Sequence, residues 1–211
     1  MPDWLRERLL REPPSLAEGG AVRGDLGTSA AVAAEREAAV LVPIVTHEAG
    51  PSILFTRRTE HLPDHPGQVS FPGGSVERVD RGPRDTALRE TFEEIGLGRE
   101  RVEIAGYLDL YRTVTGFVVT PVVGLVRPGF ALRLDPHEVA EAFEVPLDWL
   151  ADRGNLQRQR RRFGDREVRF YAFQFEQYCI WGATAAMLVN LLERLRSDEN
   201  KPINTMAWNP K

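Results

Sequence analysis

Three acidic residues near the middle of the chain, Glu90, Glu93 and Glu94, stand at i, i+3 and i+4. On a helix that spacing places their carboxylates on one face, one turn apart. Like charges so close repel each other and weaken the helix that carries them. The cluster makes sense when a hard divalent cation sits among them. Mg²⁺ prefers oxygen ligands, keeps several waters and shares its shell with substrate phosphates. The chemistry to expect is metal-assisted attack at a phosphate. The plain alternative is a solvated acidic helix end, in which Arg89 and Glu93 form an ordinary i, i+4 pair. The flanking residues favour chemistry: Phe71-Pro72-Gly73-Gly74 comes before the cluster and Gly96-Leu97 directly after it.

The element that must position the cluster is a helix from about Pro83 to Ile95. Pro83 suits the first helical position and Gly96 the residue past the end. Two strands are expected upstream, Val40–Val45 and Ser52–Arg57, joined by a turn at Ala49-Gly50-Pro51. Pro43 lacks a backbone donor, which points to a sheet edge. A loop over 59–74 follows, with a short extended piece at 68–71. Further strands are expected at Val102–Tyr111, Phe117–Val126, Arg158–Phe163 and Glu167–Phe175. Helices are expected at 3–11, His137–Ala142, Pro146–Ala151 and Trp181–Arg196. Strands outnumber helices and do not alternate with them, so the fold class is α+β. The domain spans 36–196, after an N-terminal helix and Gly-rich linker (1–35) and before a polar tail (197–211).

The 211 residues suffice for one domain with a sizeable core. A net charge of −4 supplies no positive field for nucleic acid. The single cysteine, Cys179, excludes an intrachain disulfide; it is expected to be a small core residue rather than a nucleophile. No apolar run is long enough to span a bilayer, and the N-terminus lacks a signal peptide's apolar stretch. A cytoplasmic protein acting on a small molecule, with neither nucleic acid nor membrane as partner, is the expectation.

Gly74, Asp80, Arg89-Glu90-x-x-Glu93-Glu94-x-Gly96-Leu97 resembles the Nudix box, G-x5-E-x7-R-E-U-x-E-E-x-G-U, where U is apolar. The resemblance implies an α/β/α sandwich around a mixed sheet. It also implies Mg²⁺- or Mn²⁺-dependent hydrolysis of nucleoside diphosphates linked to another moiety. Three positions depart from the pattern: Asp80 stands for the first glutamate, eight residues separate it from Arg89, and Thr91 replaces an apolar residue. Either Asp80 or Glu77 is then the acid that pairs with Arg89. Glu93 and Glu94 would carry most of the metal, with Glu90 a third ligand or the base that activates water. The Gly73 carbonyl would complete the shell, and Arg89 would orient the carboxylates.

Upstream, Leu54-Phe55-Thr56-Arg57-Arg58-Thr59-x3-Pro63-x3-Gly67-x3-Phe71-Pro72-Gly73-Gly74 is similar to the signature of the coenzyme A pyrophosphatase subfamily, L-L-T-x-R-[S/A]-x3-R-x3-G-x3-F-P-G-G. That subfamily also has the longer spacing inside the box. Pro63 stands where the signature has Arg; if that Arg contacts a phosphate in the subfamily, this chain must use another cation, such as Arg57 or Arg58, or bind more weakly. Segments at Asp135–Leu147 and Ile180–Ala185 also resemble the subfamily. The implied substrate is CoA or acyl-CoA, cut to 3′,5′-ADP and (acyl-)4′-phosphopantetheine. Arg57, Arg58, Phe71 and Gly74 are the candidate substrate contacts. Alternatives are a Nudix hydrolase of ADP-ribose, NADH or another such compound, and a catalytically silent ligand-binding module. The silent module has no need of the repulsive cluster.

Glu138 and Glu141 are candidates for a carboxylate from outside the box, against a solvated helix face. Arg158, Arg160 and Arg162 share one face of an expected hairpin strand. They either hold a substrate phosphate or keep a sheet edge soluble. His61, His65 and His137 match no zinc-motif spacing. Trp181 at a helix start is expected to pack rather than stack on a base.

Overall fold

The computed structural model describes residues 3–15, 22–24, 36–113, 115–163 and 166–196. Most of the expected linker and the whole 197–211 tail lie outside the described residues. The elements run α1 (Asp3–Arg8), β1 (Val22–Gly24), β2 (Arg36–His47), β3 (Gly50–Arg58), β4 (Val69–Ser70), β5 (Gly73–Ser75) and α2 (Pro83–Ile95). They continue β6 (Val102–Tyr107), β7 (Leu110–Arg112), β8 (Phe117–Val126), β9 (Val139–Pro146), α3 (Leu147–Ala151), β10 (Leu156–Phe163), β11 (Arg166–Phe175), β12 (Tyr178–Trp181) and α4 (Gly182–Leu195).

Among the described residues, nine strands form a mixed sheet with the path β1-β7-β8-β2-β3-β4, β5 and β2, β6 and β8, and β9 and β3 also pairing. The β2–β8 and β1–β7 pairs are parallel and the rest antiparallel. A second sheet, β10-β11-β12, is antiparallel. Strand β2 is central and reads as a near-continuous apolar run because both its faces are covered. Ala39, Leu41 and Val45 face α2 and its Ala87, Leu88 and Ile95. Ala38, Val42 and Ile44 face the other layer, with α4 and the inner face of the second sheet. The result is an α+β sandwich with helices on both sides of a mixed sheet.

Pro43 is not at an edge. It sits in β2, opposite Gly124 of β8. Leu41 N–H donates to the Pro72 carbonyl on the other side, and N–H groups two residues apart point the same way. The missing donor of Pro43 therefore falls between the β5 register, which ends at Val40, and the β3 register, which begins at Ile44.

Residues 137–142, expected to be helical, form a turn and the start of β9. Val139-Ala140-Glu141-Ala142-Phe143 offers apolar residues at helical spacing, but β3 supplies a ladder from Ser52 to Arg58 that β9 completes. The expected strand 102–111 breaks at Leu108-Asp109 into β6 and β7. Cys179 is exposed: on β12 it alternates with buried Tyr178 and Ile180, so it points outward. Trp181 packs edge-on against Phe170, ring centroids 5.8 Å apart.

Candidate active site

Helix α2 begins at Pro83 and ends at Gly96, whose φ of 69° caps it through a 2.9 Å bond from Gly96 N–H to the Phe92 carbonyl. Its buried stripe runs Ala87, Leu88, Thr91, Glu94, Ile95. Thr91, the departure from an apolar position, is fully buried and gives its hydroxyl to the Ala87 carbonyl at 2.6 Å. Glu94 thus occupies a position that helical periodicity assigns to the core. It is 6% exposed, and its Oε2 is buried without a hydrogen-bond partner. Burial first, then the charges of Glu138 and Glu90, push its carboxyl up to about 8, against the opposing pull of the Gly73 N–H and Arg58. Burial also raises Glu90. Glu93 is more exposed and accepts from Arg89 Nη1 at 3.0 Å.

Arg89 organises the surroundings. Its Nε and Nη2 grip the two oxygens of Asp80, Nη2 also reaches the Ser75 carbonyl at 3.0 Å, and Nη1 lies 3.0 Å from both Glu90 and Glu93. Glu77 is only a distant partner, at 3.8 Å. Asp80, not Glu77, is therefore the acid that pairs with Arg89. Asp80 also accepts from Thr86 and from the Glu77 N–H, which closes the loop holding the extra residue of the spacing. The Arg89 guanidinium holds the Asp80 carboxyl far below the usual carboxylate range.

The two glycines act differently. A Cβ on Gly73 would stand 2.4 Å from the Ala39 carbonyl oxygen, so β5 can pair with β2 only if this residue is glycine. A Cβ on Gly74 would stand 2.5 Å from Glu90 Cδ and Oε1. The Glu90 carboxylate occupies the space that the missing side chain leaves. Phe71, a candidate substrate contact, belongs instead to the core: it is 2% exposed and stacks on Phe55 with centroids 5.1 Å apart. The same F-P-G-G segment that supplies the glycines uses its aromatic ring to anchor itself.

The adjacent arginines divide between two environments. Arg57 Nε donates to Glu141 at 3.2 Å, Arg57 also faces Glu60 at 3.5 Å, and the Tyr178 hydroxyl donates to the other Glu141 oxygen. Arg57 and Glu141 are thus committed to each other, and the structure does not bring Glu141 to the carboxylate cluster. Arg58 acts electrostatically on Glu94, and its Nε is buried with no hydrogen-bond partner. Between the two arginines the β3–β9 register shifts: Arg57 opposes Glu141, Arg58 opposes Val139, and Ala140 is left over. Such a bulge re-aims side chains. Val139 joins the apolar cluster beneath α2, and Glu138 stands where its charge acts on Glu90 and Glu94. The apolar spacing of 137–142 hides this bulge, because the leftover residue is Ala140 and not a Gly or Pro.

These residues fit a divalent cation. Glu90 lies one turn before Glu93 and Glu94, which stand in the last turn at the negative end of the helix dipole with no basic residue there, and Glu94 has an orphaned buried oxygen. A cation relieves each of these penalties. The set is assembled on one helix end but not closed: Arg89 holds Glu90 and Glu93, and no three acidic, histidine or cysteine groups among the described residues converge as a metal cluster. No helix among them is long and apolar enough to cross a membrane.

The sequence matches the NUDIX domain family over residues 34–167. It is 38% identical over 194 residues to an uncharacterized Nudix hydrolase, NudL, of Pectobacterium atrosepticum, covering 90% of this chain and 91% of that one. Its identity to the uncharacterized Nudix hydrolase NudL of Escherichia coli strain K12 is 42% over 159 residues, 74% of this chain and 81% of that one. The MutT protein of Methanosarcina mazei Go1 shares the fold, with a TM-score of 0.52 at 19% identity over 81% of this chain and all of that one. A MutT/nudix family protein from Enterococcus faecalis gives a TM-score of 0.51 at 16% identity, over 82% of this chain and 67% of that one. The chain belongs to the Nudix family and is a hydrolase of pyrophosphate bonds in nucleoside diphosphate derivatives.

Proposed function

We propose that this hydrolase cleaves the pyrophosphate of CoA or acyl-CoA. Water adds across the P–O–P linkage, giving 3′,5′-ADP and (acyl-)4′-phosphopantetheine. The observation that carries this reading is the way the segment from Leu54 to Gly74 meets the box. Its first half, on β3, delivers Arg58 toward Glu94. Its last residue, Gly74, leaves the space that Glu90 fills. CoA carries a 3′-phosphate in addition to the pyrophosphate, so its binding needs cations on the protein. Arg58, whose charge acts on Glu94 at the box, suits that work better than Arg57, which two acids already hold.

Glu90, Glu93, Glu94 and the Gly73 carbonyl would hold Mg²⁺ or Mn²⁺, and Glu138 would add a carboxylate from outside the box. When bound, the metal supplies Lewis acidity at the phosphate oxygens and a more acidic water. Arg89 orients Glu90 and Glu93. Pro63, which replaces an arginine of the CoA signature, favours the second reading, a hydrolase of another nucleoside diphosphate compound such as ADP-ribose or NADH.

Incubation of the pure protein with CoA, acetyl-CoA, ADP-ribose and NADH in Mn²⁺, with products resolved by mass, tests the choice. The expected result is 3′,5′-ADP and 4′-phosphopantetheine from CoA. CoA left intact while ADP-ribose or NADH is cut overturns it.

A further inference from the structure

The turn that carries Glu138 is braced from two sides. On one side it is tied to the end of α2: Arg133 N–H donates to the Ile95 carbonyl at 2.9 Å, and Asp135 N–H to the Glu94 carbonyl at 2.8 Å. Gly96 permits this approach, because a Cβ there would lie 3.2 Å from the Arg133 backbone nitrogen. Asp135 then closes the turn by accepting from Glu138 and Val139 N–H. On the other side stands a single residue, Thr59, directly after β3. Its hydroxyl donates to the His137 carbonyl and its N–H to the Glu138 carbonyl, both at 3.0 Å. Thr59 is 6% exposed, so water does not replace either bond. These bonds follow directly on the Arg58–Val139 pair, just beyond the Ala140 bulge that interrupts the regular ladder between β3 and β9.

We propose that Thr59 is a positioning residue: by holding the carbonyls of His137 and Glu138, it sets where Glu138 stands relative to Glu90 and Glu94, and so how tightly the carboxylates take up their cation. The CoA signature has Ser or Ala at this place. Ser can make the hydroxyl bond and Ala cannot, so the bond distinguishes chains that otherwise share the motif. The proposal rests on Glu138 serving the metal site, and it does not depend on which nucleotide is cleaved. An outer partner that fixes a metal ligand is worth about 10–100-fold in metal affinity.

Calorimetric titration of the full-length protein with Mn²⁺, without substrate, reads this directly. Thr59→Val keeps the shape and removes the hydroxyl; Thr59→Ser keeps the hydroxyl. Thr59→Val should weaken Mn²⁺ binding about tenfold, and Thr59→Ser should restore it, which a general packing defect would not allow. Glu138→Gln should weaken binding at least as much. The double variant Thr59→Val/Glu138→Gln should bind no more weakly than Glu138→Gln alone, since both act through one carboxylate. Wild-type affinity in Thr59→Val beside a weakened Glu138→Gln overturns the positioning role alone. Wild-type affinity in Glu138→Gln overturns the metal role of Glu138, and the proposal with it.

Discussion

Arg89 grips Asp80 through two parallel hydrogen bonds, Nε to Oδ1 at 3.1 Å and Nη2 to Oδ2 at 2.9 Å. The Asp80 side chain is 3% exposed and that of Arg89 18%, so water screens the pair poorly. The pair is part-buried, and a hydrogen bond to a charged group is worth about 1.5–3 kcal/mol. Asp80→Asn should therefore lower Tm by roughly 10 °C, whereas Glu77→Gln, on an exposed side chain 3.8 Å from Arg89, should leave it nearly unchanged. Thermal unfolding of the two variants side by side checks the assignment.

The pair also shapes stability in acid. The Asp80 pKa is lower in the folded chain than in the unfolded one. Its stabilisation is thus fully present above the unfolded value of about 3.9 and is lost as pH falls below it. Stability followed from pH 6 to pH 3 should fall less steeply in Asp80→Asn than in the wild type. Parallel curves would show that other carboxylates dominate.

Glu94 has the opposite sign. Its folded pKa, about 8, lies above the unfolded value for glutamate. Between about 4.3 and 8 the folded protein holds a proton that the unfolded chain has released, so without metal stability declines as pH rises through that window. Glu94→Gln should remove this decline and be more stable than the wild type at pH 8 in chelator. Mn²⁺ needs the ionised carboxylate, so its binding at pH 7 should release about one proton. Titrations in buffers of different ionisation heat would read that proton, and a buffer-independent heat would count against it.

The two glycines of β5 should separate fold from chemistry. In Gly74→Ala the new methyl meets the movable end of Glu90, so the protein should fold and lose turnover. In Gly73→Ala it meets the Ala39 carbonyl at 2.4 Å, with a φ of +154°, so stability itself should drop. Circular dichroism melts beside activity assays distinguish the two. Equal folding and equal activity would contradict both roles.

Much of helix α2 was legible in sequence because its signals are local. Pro83 starts it, Gly96 stops it, and carboxylates at i, i+3 and i+4 share its face. What stayed hidden was set by partners distant in the chain. Val139, Ala142 and Phe143 have helical spacing, yet a ladder to β3 makes them a strand, and the bulge beside them brings Glu138 to bear on Glu94. Pro43 reads as an edge residue until the gap between β5 and β3 is seen. Phe71 reads as part of a binding signature, but Phe55 claims its ring for the core. Arg57 and Arg58 look interchangeable in sequence; Glu141 and Tyr178 separate them.

The most direct test of the site is Mn²⁺ titration of the wild type, Glu93→Gln and Glu94→Gln by calorimetry, with pyrophosphate-bond cleavage assayed on the same samples. Both variants should fold, bind Mn²⁺ more weakly than the roughly 10–100-fold loss typical of an outer partner, and lose cleavage in step. Wild-type Mn²⁺ affinity and wild-type cleavage in Glu94→Gln would contradict a cation held by the carboxylates of α2.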